Sequence, residues 1–178
     1  VLPTFFRGGC IVTQNVPDLK QWCRIVETEK ITLSFLVPTL LYRLLDLEEA
    51  RNHDLSSLQT IFYGAAPMSP DKLKLLRARF GSIFLQAYAA TESTLAVGIL
   101  DKSDHEISAD EDTKRLSSAG RPGPGVEVMI ADDEGHELPL GEMGELWLRT
   151  RGTICGYYKN PEGTASEFGA RMTAMTSA

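Results

Sequence analysis

The sequence predicts an α/β fold: a mostly parallel sheet covered by helices, followed by part of a small antiparallel β-barrel. Short apolar segments alternate with amphipathic helical segments over residues 10–88, a pattern typical of parallel sheets with helices on their faces. Residues 101–119 are rich in charge and carry no hydrophobic period. Residues 120–168 then alternate apolar and polar side chains between turn-rich stretches, which indicates antiparallel strands.

The first two expected elements are a short strand and an amphipathic helix. The run CIVTQ at 10–14 contains β-branched residues and predicts the strand. Pro17 and Asp18 offer a start for the helix. Its apolar face is formed by side chains at helical spacing, namely Leu19, Trp22, Cys23 and Val26.

Three more strands and two more helices complete the expected sheet layer. The apolar runs ITLSFLV, LQTIFYG and SIFLQAY predict strands at 31–37, 58–64 and 82–88. Leucines at helical spacing predict a helix over 39–50. A second helix starts with Ser69 as N-cap and Pro70 at the first turn, and Gly81 closes it. Ligands of such sheets bind beyond the carboxyl ends of the strands, so a ligand is expected near IFYGAAP and LQAYAATES.

The organisation of the chain changes near residue 100. The segments VEVMIAD and GELWLRTR predict two strands of the antiparallel unit, and GRPGPG before them reads as a rigid turn. We expect four regions: an α/β subdomain at 1–100, a charged surface loop at 101–119, a β-barrel-like subdomain at 120–168 and an atypical tail at 169–178.

Composition and charge exclude several protein classes. The 178 residues carry a net charge of -6, which argues against a nucleic-acid-binding protein. No apolar run approaches the ~20 residues that a membrane-spanning helix needs. The three cysteines form no Cys-x-x-Cys pair, so we expect free thiols and a reducing, cytoplasmic compartment. The three histidines lie in polar stretches and are expected to be solvated surface residues: His53, His105 and His136.

Several blocks of the sequence together resemble the adenylate-forming superfamily, and most closely its acyl- and aryl-CoA synthetases. The blocks are DLSSLQTIFYGAAPMSP, QAYAATES and the long stretch from SSAGRPGPG to GYYKNPEGTASEF, within a resemblance that extends over residues 1–168. The resemblance implies an enzyme that activates a small carboxylic acid with ATP and Mg²⁺. The products are an acyl-adenylate and pyrophosphate, and the acyl group then forms a thioester with coenzyme A.

The resemblance also implies a role for each residue of a nucleotide site. Gly64, Ala65 and Ala66 are implied to lie on one face of the adenine of ATP or AMP, with Tyr88 on the other face and Gln86 beside the nucleotide. Thr91 is implied to contact the phosphate and Glu92 to bind Mg²⁺. Ala89 is implied to border the acyl pocket. Thr91 and Glu92 would be the catalytic pair. Relatives commonly have glycine where Ala89 stands, so we expect Ala89→Gly to broaden the range of acids that a full-length enzyme accepts.

The sequence departs from the family pattern in three places. It contains no phosphate loop rich in Ser, Thr and Gly, no Thr-Gly-Asp motif after residue 168, and no C-terminal domain with the catalytic lysine. Because the chain also begins with Val1, we expect it to be a central fragment of an acyl-CoA synthetase and to be inactive alone.

Structural interpretations of the same motifs remain open. Tyr88 is compatible with a core aromatic at a strand end, and Thr91 with a helix N-cap followed by the acidic Glu92. The DDEG segment before His136 is more typical of a hairpin turn than of a metal site. The alternative function is a non-catalytic α/β module that binds a nucleotide or mediates assembly, including homodimerisation through exposed sheet edges.

Overall fold

The computed structural model of the protein describes residues 2–93, 96–106 and 113–169. The helices are α1 (Leu2–Phe6), α2 (Leu19–Glu29), α3 (Pro38–Asp46), α4 (Glu49–Asn52), α5 (Pro70–Phe80) and α6 (Pro161–Thr164). The strands are β1 (Leu33–Phe35), β2 (Thr60–Gly64), β3 (Phe84–Tyr88), β4 (Gly98–Leu100), β5 (Arg121–Pro122), β6 (Val126–Ala131) and β7 (Glu145–Thr150). Short 3₁₀ turns at Ser103–His105 and Thr113–Ser117 and a π-helical turn at Ala165–Gly169 complete the described structure.

The larger sheet has the strand order β1-β2-β3-β4-β5. Strands β1, β2 and β3 are parallel to one another. Strand β4 runs opposite to β3, and β5 runs opposite to β4, so β5 again points in the direction of β3. This mostly parallel arrangement confirms the predicted fold class. The short strands β4 and β5 were not expected from the sequence pattern.

The helix boundaries follow the predicted capping signals. The Asp18 side chain accepts hydrogen bonds from the backbone N–H groups of Lys20 and Gln21 at 2.9 and 3.3 Å, so it caps α2. Ser69 caps α5 through the Lys72 N–H group at 3.5 Å. Gly81 ends α5 with a positive φ of 79°, a conformation that glycine adopts without a steric penalty.

The main core lies between the sheet and helices α2, α3 and α5. On β2, Ile61 and Tyr63 are fully buried while Phe62 between them is only partly buried, as the two-residue period of a strand requires. The helices and β3 contribute further fully buried side chains: Cys23, Val26, Leu41, Leu44, Leu73, Leu76 and Phe84. Burial of these apolar side chains is the principal force that holds the layer together.

The smaller sheet consists of β6 and β7, paired antiparallel from Val126 opposite Thr150 to Ala131 opposite Glu145. The alternating sequence pattern correctly predicted both strands. Arg149 and Glu127 face each other across the pair and form an ion pair.

Two expectations from the sequence are wrong. Residues 10–14 form no strand: the larger sheet begins at β1, and no described strand pairs with them. His105 is not a solvated residue but is 1% exposed. Its Nε2 atom lies 2.8 Å from the hydroxyl of Tyr63 in β2, and Leu116 is also fully buried in the core. Both residues belong to the 101–119 segment, whose described residues are therefore anchored to the core at these two positions.

The described residues also bear on the expectations about thiols, membrane spans and the C-terminal tail. The cysteines are free thiols, exposed at Cys10 and Cys155 and buried at Cys23. Within the described ranges, no helix combines the length and apolarity that a membrane span requires. The tail expected at 169–178 lies outside the described residues from position 170 onward.

Candidate functional site

The candidate site is built on the carboxyl ends of two neighbouring parallel strands. Strand β2 ends at Gly64 and β3 ends at Tyr88. Gly64 is paired with Ala87 in the sheet. The loop that follows β2 therefore lies beside the loop that follows β3, at the edge of the sheet where ligands of α/β proteins bind.

The loop after β2 has an unusual backbone. A Cβ atom added to Gly64 would lie 2.4 Å from the Ala87 carbonyl oxygen, so the close approach of β3 already requires glycine here. Ala65 adopts a left-handed φ of 66°, which is uncommon for a residue with a Cβ atom. Ala65 and Ala66 are exposed at the sheet edge. The loop thus presents small, accessible backbone to any ligand at this edge.

The described residues of the loop after β3 leave Tyr88 exposed at the end of the strand. The Tyr88 carbonyl accepts a hydrogen bond from the Val97 N–H group at 2.8 Å, and the Ala90 carbonyl accepts one from the Ser93 N–H group at 3.1 Å. Thr91, between them, is exposed. Because Tyr88 is 41% exposed, the interpretation of this ring as a core aromatic is wrong.

Glu92 is tied to the segment that follows β7. The Tyr157 hydroxyl donates a hydrogen bond to Glu92 Oε1, and the Ile154 N–H group donates to the Glu92 carbonyl oxygen at 3.0 Å. Ser93, the next residue, forms an isolated antiparallel bridge with Thr153. These contacts join the edge of the larger sheet to the segment after β7.

The hydrogen bond between Tyr157 and Glu92 changes the acidity of both groups. It lowers the pKa of the Glu92 carboxyl below its ordinary value, and a backbone hydrogen bond adds to this effect while partial burial opposes it. The same bond, followed by burial and the repulsion from nearby carboxylates, raises the pKa of Tyr157 to about 12. Near neutral pH, Glu92 is therefore an anion and Tyr157 a hydrogen-bond donor.

An open cleft of ≈ 130 Å³ lies between the two sheets. Its lining comes from the loop after β3, from β7 and from the C-terminal segment: Tyr88, Ala90, Glu92, Glu145, Leu146, Trp147, Leu148, Thr153, Glu167 and Phe168. Complete small-molecule pockets usually measure ~300–1,000 Å³. The cleft accordingly has the size of part of a binding site.

The predicted site residues are only partly brought together. Tyr88 and Glu92 line the cleft, whereas Ala89 and Thr91 are exposed beside it. The Gln86 side chain donates a hydrogen bond to the Ser118 carbonyl oxygen at 3.1 Å, so its nucleotide contact remains a prediction.

The sequence did not indicate the side of the cleft formed by Trp147, Thr153 and Phe168, nor the contact of Tyr157 with Glu92. The block GYYKNPEGTASEF contains Tyr157 and is part of the family resemblance. The contact could not be inferred from local patterns, because 65 residues separate Tyr157 from Glu92.

A second group of polar side chains is explained by a turn. Ligand atoms of Asp132, Glu134 and His136 lie within 4.8 Å of one another on the exposed loop after β6. The Asp132 carboxylate accepts hydrogen bonds from the backbone N–H groups of Glu134 and His136 at 2.9 and 2.8 Å. This pattern is typical of a turn stabilised by aspartate, as the sequence predicted.

The amino-acid sequence is similar to those of known enzymes. The family described as AMP-binding enzyme matches residues 1–158. The medium/long-chain-fatty-acid–CoA ligase FadD8 of Mycobacterium tuberculosis is 37% identical over 166 residues, which are 93% of this chain and 28% of that protein. Feruloyl-CoA synthase of an Amycolatopsis species is 33% identical over 164 residues, or 92% of this chain and 32% of that protein.

Solved structures give the same result. The amide bond synthetase McbA of Marinactinospora thermotolerans superposes with a TM-score of 0.80 at 35% identity, over 89% of this chain and 31% of McbA. ATP-bound MatB of Rhodopseudomonas palustris superposes with a TM-score of 0.77 at 26% identity, over 93% of this chain and 31% of MatB. The chain thus spans less than a third of the length of these relatives. Because the family match extends over most of the sequence, the chain belongs to the AMP-binding enzymes of the adenylate-forming superfamily.

Proposed function

We propose that this chain carries part of the nucleotide site of an ATP-dependent acyl-CoA synthetase. The observation that carries the proposal is the pairing of Gly64 with Ala87. This pairing sets the loop after β2 beside the loop that contains Glu92 and beside the exposed Tyr88. The activities named for FadD8 and feruloyl-CoA synthase support the same reaction class, because both join an acid to coenzyme A. The ATP-bound state of MatB supports ATP as the nucleotide.

In the proposed complex, the adenine lies between an aromatic ring and a backbone segment. Tyr88 contributes a ring that is 41% exposed and free to stack. Gly64, Ala65 and Ala66 contribute the opposite side, where small side chains leave room for a flat base. Gln86 is the additional nucleotide contact proposed from the family resemblance. Stacking of a base on an aromatic side chain contributes ~1–3 kcal/mol.

Thr91 and Glu92 form the proposed phosphate and metal end of the site. The exposed Thr91 hydroxyl is proposed to contact the phosphate. The Glu92 carboxylate supplies oxygen ligands, which Mg²⁺ prefers, so Glu92 fits that ion. When bound, Mg²⁺ neutralises charge on the phosphates. A carboxylate oxygen of the acid attacks the α-phosphorus while the bond to pyrophosphate breaks. The residues of this chain orient the nucleotide for that step.

The second half of the proposed reaction transfers the acyl group to the thiol of coenzyme A. The acid is a small molecule, and Ala89 is proposed to border the pocket that holds it. We place the reaction in the cytoplasm, where thiols such as those of Cys10 and Cys155 stay reduced.

Isothermal titration of the chain with ATP and Mg²⁺ tests the proposal. Tyr88→Ala is expected to weaken ATP binding roughly 5- to 150-fold, which corresponds to the loss of one stacking contact of ~1–3 kcal/mol. Glu92→Ala is expected to abolish the contribution of Mg²⁺. Tyr158→Ala is the matched control, because Tyr158 is 88% exposed and does not line the cleft. A folded chain that binds no ATP, or binds it equally well in all variants, would refute a preformed nucleotide site.

One observation favours the alternative role as an assembly module. Strand β1 is the first strand of the larger sheet, and its Leu33 and Phe35 side chains are 60% and 51% exposed. Exposed apolar edge strands promote pairing between chains. Sedimentation velocity over a range of concentrations tests this role: a dimer that Phe35→Lys dissociates supports it, and a monomer at all concentrations excludes homodimerisation.

A further inference from the structure

The hydroxyl of Tyr157 donates a hydrogen bond to the Glu92 carboxylate. We propose that Tyr157 is a positioning residue of the nucleotide site, which holds Glu92 in the orientation that receives Mg²⁺. This inference rests on the proposed function, since it assigns Glu92 to the metal. Tyr157 itself is not proposed to touch the nucleotide or to take part in the chemistry.

The Tyr157 ring is fixed by its own segment. Its backbone N–H group donates to Thr164 Oγ1 at 2.9 Å, and that hydroxyl donates onward to the Asn160 carbonyl oxygen at 2.8 Å. Its ring meets Phe168 edge to face, with ring centroids 5.8 Å apart. Phe168 in turn lines the cleft. The backbone hydrogen bond and the ring contact therefore fix the position from which the hydroxyl reaches Glu92.

The backbone around Glu92 is held separately from its side chain. The Ile154 N–H group binds the Glu92 carbonyl oxygen at 3.0 Å, and Ser93 bridges to Thr153. Loss of the Tyr157 hydroxyl therefore leaves the two segments joined by these backbone contacts. What it removes is the hydrogen bond that selects one orientation of the Glu92 carboxylate.

Orientation matters because Mg²⁺ tolerates little deviation from its preferred ligand geometry. Outer partners that orient a ligating carboxylate typically contribute 10- to 100-fold to metal affinity. A carboxylate free to rotate would have to be ordered at the moment of binding, and this ordering would weaken the complex. We accordingly expect the Tyr157 hydroxyl to affect the Mg²⁺-dependent part of nucleotide binding alone.

The decisive variant is Tyr157→Phe, which removes the hydroxyl and retains the ring beside Phe168. ATP affinity is measured by titration calorimetry with Mg²⁺ and, separately, with EDTA. We expect Tyr157→Phe to lose ~10- to 100-fold in affinity with Mg²⁺ and to match the wild type in EDTA. Tyr158→Phe, which removes the hydroxyl of the exposed neighbour, is the control and should match the wild type in both buffers.

A merely structural role for Tyr157 gives a different result. Equal losses with Mg²⁺ and with EDTA, or no loss in either buffer, would overturn the proposal. In a Glu92→Ala background, Tyr157→Phe should cause no additional loss with Mg²⁺. An additional loss there would show that the hydroxyl acts on some other group, which would also overturn the proposal.

A measurement on the ligand-free chain separates this inference from the proposed function. Three-bond NMR couplings report the χ1 and χ2 rotamers of Glu92. We expect one dominant rotamer in the wild type and in Tyr158→Phe, and averaged rotamers in Tyr157→Phe. The wild type could bind no nucleotide while Glu92 still has one rotamer in the wild type and averaged rotamers in Tyr157→Phe. In that case the proposed function fails and the positioning contact stands. Equal averaging in all three proteins refutes the positioning contact.

Discussion

Replacing Tyr63 by phenylalanine tests the buried hydrogen-bond chain that joins the sheet to the 101–119 segment. The Tyr63 side chain on β2 is fully buried, and its hydroxyl lies 2.8 Å from His105 Nε2. His105 Nδ1 lies 2.6 Å from the Asp101 carbonyl oxygen. A carbonyl oxygen can only accept, so Nδ1 carries the hydrogen of the neutral ring. Nε2 is then an acceptor, and the Tyr63 hydroxyl donates to it.

The structure sets the magnitude of the effect. Tyr63→Phe leaves His105 Nε2 buried without the donor it now has, and an unsatisfied buried polar atom costs ~1–3 kcal/mol. We take ~2 kcal/mol as the expected loss in the free energy of unfolding. For a chain of this length, each 1 kcal/mol lowers the melting temperature by about 2–4 °C. The variant should therefore melt about 4–8 °C below the wild type.

Chemical and thermal unfolding followed by circular dichroism measures this loss. Tyr158→Phe removes an exposed hydroxyl and should leave the stability unchanged. In a double-mutant cycle with His105→Leu, the two losses should not add, because either substitution already breaks the same contact. A loss below ~0.5 kcal/mol for Tyr63→Phe, or full additivity in the cycle, would refute the reasoning.

Three further predictions follow from burial, close approach and capping. Burial lowers the folded-state pKa of His105 below its ordinary value of 6.5. The stability of the fold should therefore be complete above pH 6.5 and fall as the pH drops through the folded-state pKa. A urea midpoint that stays constant from pH 7.5 to 5 in the wild type would contradict this. Gly64→Ala should lower the free energy of unfolding by ~1–3 kcal/mol, because the new methyl group would lie 2.4 Å from the Ala87 carbonyl oxygen. An unchanged urea midpoint would show that β2 and β3 move apart without loss of stability. Asp18→Ala should lower it by ~1 kcal/mol through loss of the α2 cap; Asp18→Asn, which retains an acceptor oxygen, is the matched control and should lose less.

The layered fold could be predicted because each of its signals is local. Apolar periodicity located α2 and the strands β2, β3, β6 and β7, and Ser69 with Gly81 located the ends of α5. The run at 10–14 was misread because a strand also needs a neighbour to pair with. A sequence window cannot show that no described strand lies next to these residues.

The site could be predicted only as far as resemblance and strand ends reach. The sequence indicated that Tyr88 and Glu92 share a sheet edge with Gly64, and the register confirms that these loops are neighbours. It did not indicate that His105 is buried, because the partner of its Nε2 atom lies 42 residues away. The contact of Glu92 with Tyr157 was hidden for the same reason.

The long separation between Glu92 and Tyr157 has a consequence for the order in which the chain assembles during synthesis. Tyr157 lies 65 positions after Glu92 in the sequence. At ~5–20 residues per second, a ribosome needs about 3–13 s to make this stretch. Strands β1, β2 and β3 are complete before that interval begins, so the parallel layer can form while Glu92 still lacks its donor. The nascent chain can thus form its parallel layer before the Glu92 carboxylate meets the hydroxyl that orients it.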